Sequence, residues 1–152
     1  LVKDGLACTC GRKGCAERYF SATALMNQTK EAMLADPNSK MWEYCGGDIN
    51  AVNGKTAFEC EKLGDESAKK VVDNFISYLG DGMISLLNIF RPDAFVIGGG
   101  VSAQGKNLTD RLKAYCEKYN YGYKNAPKTE ILTATLGNDA GILGAAALIS
   151  EQ

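Results

Sequence analysis

The chain has 152 residues, 45% of them apolar, which is one domain's worth of material and enough to bury a single core. Its 17 basic and 18 acidic side chains leave a formal charge of −1 with the signs interspersed, so no basic stripe exists to hold a nucleic acid, and no apolar run approaches the ~20 residues that span a bilayer. With no basic leader before an apolar stretch, and with three of its six cysteines clustered, the composition predicts a soluble protein of a reducing, cytoplasmic compartment.

Cys8, Cys10 and Cys15 are interleaved with Gly11 and Gly14. Thiolates are soft ligands, and the glycines let the backbone turn all three sulfurs toward one point, so the spacing predicts a zinc knuckle. The alternatives are a disulfide, which between Cys8 and Cys10 would strain so short a loop, or three small core residues. Structural zinc takes four ligands and the sequence holds no histidine. A fourth ligand is therefore expected just upstream of Leu1. Cys45, Cys60 and Cys116 stand alone in sequence and are expected to be buried, reduced thiols.

Glu17 through Ala35 reads as one helix, with Phe20, Ala24, Leu25 and Met33 inward, ended by Asp36-Pro37-Asn38-Ser39. From Lys40 to Lys55 the turn residues Gly46-Gly47 and Asn53-Gly54 predict a loop with one short helix. Thr56 and Glu59 have the spacing of a capping box, Gly64 stops that helix, and Asp65 is placed to cap the longest one, running to about Phe90. Its stripe is Val72, Phe75, Ile76, Leu79, Met83, Leu86, Leu87 and Phe90. Gly80 and Gly82 within it predict a bend or the close approach of a neighbouring backbone.

Ala94-Phe95-Val96-Ile97 is an unalternated apolar run, expected as a parallel strand buried on both faces. A helix over Lys106 to Tyr119 follows, with Leu108, Leu112, Tyr115 and Cys116 inward, and then a strand over Thr129 to Leu136. Asn138-Asp139 can cap a last helix, Ala140 to Ser150, whose Gly141, Gly144 and Ala145 predict a close neighbour. The order of elements is α/β.

Two features carry chemistry besides the knuckle. Gly98-Gly99-Gly100 ends a strand before a helix, where backbone N–H groups can cradle a phosphate or nucleoside; the alternative is a tight turn at a sheet edge. The glycine spacing matches neither the dinucleotide fingerprint nor a P-loop. Glu17, two residues past Cys15, is a carboxylate that the knuckle would hold rigidly enough to grip a hydroxyl-rich ligand; the alternative is a solvated acid favoured by the helix N-terminus.

The run CTCGRKGCAERYFSATAL, residues 8–25, resembles the signature of the ROK (repressor, open reading frame, kinase) family, most closely its glucokinases. FRPDAFVIGGGVS, residues 90–102, and LGNDAGILGAAAL, residues 136–148, resemble that family's later segments in the same order; Ala22 stands where the family usually has glycine. The resemblance implies that residues 1–152 are the C-terminal lobe of an actin-like, ribonuclease-H-like ATPase-fold sugar kinase with a zinc knuckle. It implies zinc shared by Cys8, Cys10 and Cys15 with an upstream histidine, Glu17 hydrogen-bonded to hexose hydroxyls, and Gly98, Gly99 and Gly100 facing ATP with Mg2+. No catalytic residue falls in this chain, because the family's aspartate base and phosphate loop belong to the N-terminal lobe; the isolated lobe is expected to be inactive and the full-length protein a homodimer. The sugar-sensing domain of a ROK transcriptional repressor, or an N-acylmannosamine kinase, is the alternative that the same resemblance allows.

Overall fold

The computed structural model describes residues 1–123, 125, 127–136 and 139–150. Its helices are α1 (Glu17–Phe20), α2 (Ala22–Ala35), α3 (Lys40–Tyr44), α4 (Thr56–Lys62), α5 (Glu66–Phe90), α6 (Lys106–Tyr119) and α7 (Ala140–Ser150), and its strands are β1 (Ala94–Ile97) and β2 (Glu130–Thr133). Short 3-10 helices cover Ile49–Ala51 and Gly100–Gln104. The long helix α5 is the spine, with α1, α2, α4 and α6 packed against it.

The single helix expected over 17–35 is broken at Ser21. This residue is extended (φ −76°, ψ 166°) and its Oγ accepts the Ala24 N–H at 3.0 Å, so α1 ends and α2 begins at a side-chain cap. The inward positions of α2 hold: Ala24, Leu25 and Met33 are buried. Between Lys40 and Lys55 the expected loop contains α3, whose Trp42 donates its Nε1 hydrogen to Met33 O at 2.8 Å.

The capping box at Thr56 and Glu59 does not form. Lys55 is the N-cap of α4, and the buried Thr56 Oγ1 accepts the Asn53 N–H at 3.1 Å instead, bracing the preceding turn. Asp65 caps α5 as its position predicts: Oδ1 accepts the Ala68 N–H at 2.7 Å, while Oδ2 accepts Ser39 Oγ at 2.9 Å and the Lys40 N–H at 2.6 Å. One buried carboxylate thus starts α5 and fastens the beginning of α3 to it.

Val72, Phe75, Ile76, Met83 and Leu87 of the α5 stripe are buried among Leu25, Met33, Phe58, Leu108 and Leu112, with Phe58 and Phe75 edge to face. Leu86 and Phe90 are not, Phe90 being 71% exposed; Leu86 lies at the margin of the stripe and Phe90 at its end, where the chain turns away at Arg91 (φ 43°, ψ 58°). Arg111 of α6 grips Glu61 of α4 with two hydrogen bonds, 2.7 and 2.8 Å, and Asp73 of α5 with a third at 2.9 Å.

β1 and β2 pair in parallel, Ala94 opposite Glu130 through Ile97 opposite Thr133, with α6 in the crossover between them. Among the described residues only one face of β1 is covered, where an unalternated apolar run predicts both. Phe95 and Ile97 pack against the core, whereas Ala94 is exposed and Val96 is 57% exposed, because α6 lies against one side of the pair. β2 is shorter than the stretch 129–136, and Ile131 is its buried residue. On α7, Ile142, Leu143, Leu148 and Ile149 are exposed, and no described atom lies within 4 Å of a Cβ placed at Gly141 or Gly144; the close neighbour expected there is not among the described residues. The expected cap residue Asn138 lies outside them. No helix among the described residues is long and apolar enough to cross a membrane.

Candidate functional site

Residues 1–15 form a small hairpin whose strands are too short to need regular pairing beyond one antiparallel bridge, Ala7 with Lys13. The Cys8 N–H donates to Arg12 O at 2.8 Å and the Gly14 N–H to Leu6 O at 2.8 Å, while the Val2 N–H returns to Gly14 O at 3.0 Å. Gly14 has φ +70°, and a Cβ there would overlap the Val2 carbonyl, so glycine is required by both conformation and space. The hairpin is fastened to the helices by Tyr19, which is buried, accepts the Leu6 N–H at 2.8 Å on its hydroxyl and sets its ring 4.8 Å from that of Tyr78 on α5. Tyr19 falls outside the inward positions that helical spacing predicts over 17–35; its signal in the sequence is a large aromatic two residues past Glu17.

The hairpin brings the three clustered thiols together. The sulfurs of Cys8, Cys10 and Cys15 all lie within 4.8 Å of one another, with Cys10 and Cys15 at 3.5 Å. Zinc bonds of ~2.3 Å in a tetrahedron would space the sulfurs by roughly 3.8 Å, so these separations are compatible with three thiolates on one metal. The Arg12 backbone N–H, helped by the neighbouring thiols, lowers the Cys10 pKa, while the hydrogen bond with Cys10 pushes Cys15 up to about 11.

Glu17 joins this group. It is exposed, opens α1, and its Oε2 accepts the Cys8 thiol at 3.3 Å. The turn beneath it is held by the Arg18 N–H on Cys15 O at 2.9 Å and the Tyr19 N–H on Ala16 O at 2.9 Å, so backbone hydrogen bonds join the knuckle to the start of α1.

Gly98, Gly99 and Gly100 are exposed at the C-terminal end of β1, which is where ligands approach in parallel α/β sheets. Gly99 has φ +77° and ψ −171°, a conformation open essentially to glycine, and its carbonyl accepts Ser102 Oγ at 2.7 Å. A Cβ on Gly99 or Gly100 would meet no described atom within 4 Å, and one on Gly98 would only touch Ala134 at 4.0 Å. Tight turning explains Gly99; packing explains none of the three. Among the described residues no hydrogen bond joins this loop to the knuckle.

Cys45, Cys60 and Cys116 are buried, as expected, and lie apart from the knuckle. Burial pushes the Cys60 and Cys116 thiols up to about 11, which keeps them protonated at neutral pH.

The α/β fold of this chain is similar to that of solved ROK sugar kinases, which have the actin-like ATPase fold. The ROK family pattern matches residues 1–152, and the chain belongs to that family. It is 34% identical over 153 residues to a glucokinase of Halalkalibacterium halodurans, covering 100% of this chain and 46% of the relative. To a glucokinase of Streptomyces coelicolor it is 32% identical over 153 residues, covering 99% of this chain and 48% of the relative. A solved ROK family glucokinase from Streptomyces griseus, in complex with glucose and AMPPNP, matches with a TM-score of 0.87 at 33% identity, over 97% of this chain and 48% of that one. The chain spans about half the length of the curated relatives it matches.

Proposed function

We propose that residues 1–152 are the C-terminal lobe of an ATP-dependent hexose kinase of the glucokinase type. One observation carries the reading: Glu17 is an exposed carboxylate fixed by the thiol knuckle, in a chain similar over nearly its whole length to a kinase solved with glucose and a nucleotide analogue. In this reading Cys8, Cys10 and Cys15 hold zinc together with a histidine from the preceding part of the protein, and the metal's contribution is structural, locking the knuckle. Glu17 accepts hydrogen bonds from hexose hydroxyls, a role suited to an ionised acceptor. Gly98, Gly99 and Gly100 leave room for the phosphates of ATP with Mg2+ near the end of β1.

Phosphoryl transfer depends mostly on positioning and charge stabilisation. The base that takes the hydroxyl proton and the phosphate loop belong to the preceding lobe, so the isolated chain is inactive. Phe90, Val96, Ile142 and Ile149 are each exposed apolar side chains, as residues at a lobe boundary would be. The full-length protein is proposed to be a cytoplasmic homodimer.

The test is phosphorylation of glucose by the full-length protein with Mg-ATP, followed as hexose phosphate, with other hexoses and N-acylmannosamine in parallel. Saturable turnover with glucose and none from residues 1–152 alone is expected. A full-length protein that binds sugar and duplex DNA but transfers no phosphoryl group to any of them would replace this reading with the repressor.

A further inference from the structure

Cys10 and Cys15 stand out among the six cysteines. Their sulfurs are 3.5 Å apart, and Cys10 is exposed. The loop between them contains Gly11 at φ +84° and Gly14 at φ +70°. Cys8, the third thiol of the knuckle, lies within 4.8 Å of both and also donates to Glu17 Oε2 at 3.3 Å. We infer that Cys10 and Cys15 form a peroxide-sensitive pair that closes to a disulfide when the knuckle holds no metal, and that this closure excludes metal from the knuckle.

The geometry favours this pairing over the others. A disulfide needs sulfurs about 2.05 Å apart, so Cys10 and Cys15 must approach by roughly 1.5 Å, within the reach of side-chain rotation across a glycine-bearing loop. A bridge from Cys8 to Cys10 would strain so short a loop, and Cys8, which could also reach Cys15, has Glu17 as a competing partner for its thiol. Cys45, Cys60 and Cys116 are buried, and the polar contact of Cys45 Sγ is Thr56 Oγ1 at 3.9 Å rather than a thiol.

The chemistry balances with hydrogen peroxide as oxidant. The exposed Cys10 sulfur attacks the O–O bond, giving a sulfenic acid and one water; Cys15 sulfur then attacks the Cys10 sulfur, displacing the second water. Two thiols are oxidised, one peroxide is reduced, and the thiol protons leave in the water. The disulfide and the metal are alternatives, because zinc requires these sulfurs at roughly 3.8 Å. Closure would also shift Cys15, whose carbonyl receives the Arg18 N–H beneath Glu17. The link to metal and to Glu17 rests on the proposed function; the pairing itself does not.

The experiment uses the full-length protein, reduced, either zinc-loaded or stripped by chelator. Each form is treated with hydrogen peroxide, alkylated and peptide-mapped. Expected is a Cys10–Cys15 disulfide in the stripped protein, with Cys45, Cys60 and Cys116 still alkylated, and its formation slowed at least about tenfold by zinc. Cys8→Ser should retain the disulfide, whereas Cys10→Ser and Cys15→Ser should lose it, with Trp42 fluorescence reporting that each remains folded. A disulfide that includes Cys8, sulfinic acid on Cys10 without a disulfide, or equal oxidation of the buried thiols overturns the inference. A protein that binds no zinc yet forms the Cys10–Cys15 bridge would instead refute the metal reading and leave the pairing standing.

Discussion

Gly80 lies under the ring of Tyr115. A Cβ at Gly80 would stand 2.8 Å from Tyr115 Cε1 and 2.9 Å from Cγ, so the glycine that weakens α5 is the condition for α6 packing so close. Tyr115 cannot easily move away: its hydroxyl donates to Asp81 Oδ1 at 2.8 Å and shares a hydrogen with Ser77 Oγ at 3.2 Å, and its ring lies 4.5 Å from that of Tyr119. Gly82 relieves a second contact, with Phe20 Cε1 at 2.7 Å, but Phe20 is a half-buried ring with no polar tether.

Gly80→Ala is therefore expected to destabilise the protein by about 1–3 kcal/mol, although alanine by itself favours helix by roughly 1 kcal/mol. Gly82→Ala should cost less, since the Phe20 ring can yield. Urea unfolding of both variants, and of Gly80→Ala combined with Tyr115→Ala, decides the matter. Strict additivity in the double variant would show that the ring is not the obstacle.

Asp65 gives stability a definite pH dependence. Burial acts to raise its pKa, but the hydrogen bonds from Ala68, Ser39 and Lys40 outweigh this and hold it below the usual carboxylate value. A folded-state pKa below the unfolded one means that the contribution is complete above the unfolded pKa, about 3.9, and disappears as pH falls through the folded value. Urea midpoints of the wild type should fall below about pH 4. Asp65→Ala is expected to lose about 2 kcal/mol or more at pH 7, through the lost cap and the orphaned Ser39 hydroxyl, and to show a shallower acid limb. Parallel acid limbs would place the titration elsewhere.

Glu17→Gln in the full-length protein keeps the shape of the side chain and removes its charge. If the carboxylate binds hexose hydroxyls, the sugar KM should rise at least about tenfold, as expected for a charge-assisted hydrogen bond worth on the order of 1.5–3 kcal/mol, with the ATP KM little changed. Unchanged sugar kinetics would leave Glu17 as a partner of Cys8 only. Zinc content, measured on the same variant, checks that the knuckle survives.

The glycine loop offers a built-in control. Gly99 sits at φ +77°, so any side chain there strains the backbone, at about 1–3 kcal/mol, whatever the ligand does. Gly100 lies outside the left-handed region and has open space around it. Gly100→Val is thus expected to leave the melting temperature near wild type while raising the ATP KM about tenfold or more. If ATP affinity is unaltered in a folded Gly100 variant, the loop is a turn and no more.

Local pattern was enough to place α6 at Lys106–Tyr119 and α5 from an Asp65 cap to Phe90, because apolar spacing, caps and stop residues act within a few positions along the chain. It also identified the knuckle, since three thiols and two glycines so close in sequence have few ways to be far apart in space. Thr56 misled for the complementary reason: a hydroxyl with Glu59 three residues on can cap, but Asn53 offered a donor that the pattern does not weigh. Ser21 has the chemistry of a cap, but the hydrophobic spacing on either side stays in phase and predicts continuous helix through it.

What the amino-acid order determined by itself was the identity of the elements and of the thiol cluster, each of which depends on neighbours within one or two turns. Tertiary structure decided burial and approach. Val96 has the same local pattern as Phe95 yet is 57% exposed, because among the described residues the core meets one side of the strand pair, where α6 packs on β2. Gly80 became indispensable through Tyr115 on another helix, and Glu17 came to rest on Cys8 through the turn of a hairpin. Burial depends on which element arrives across from a residue, and no period within the residue's own element encodes that.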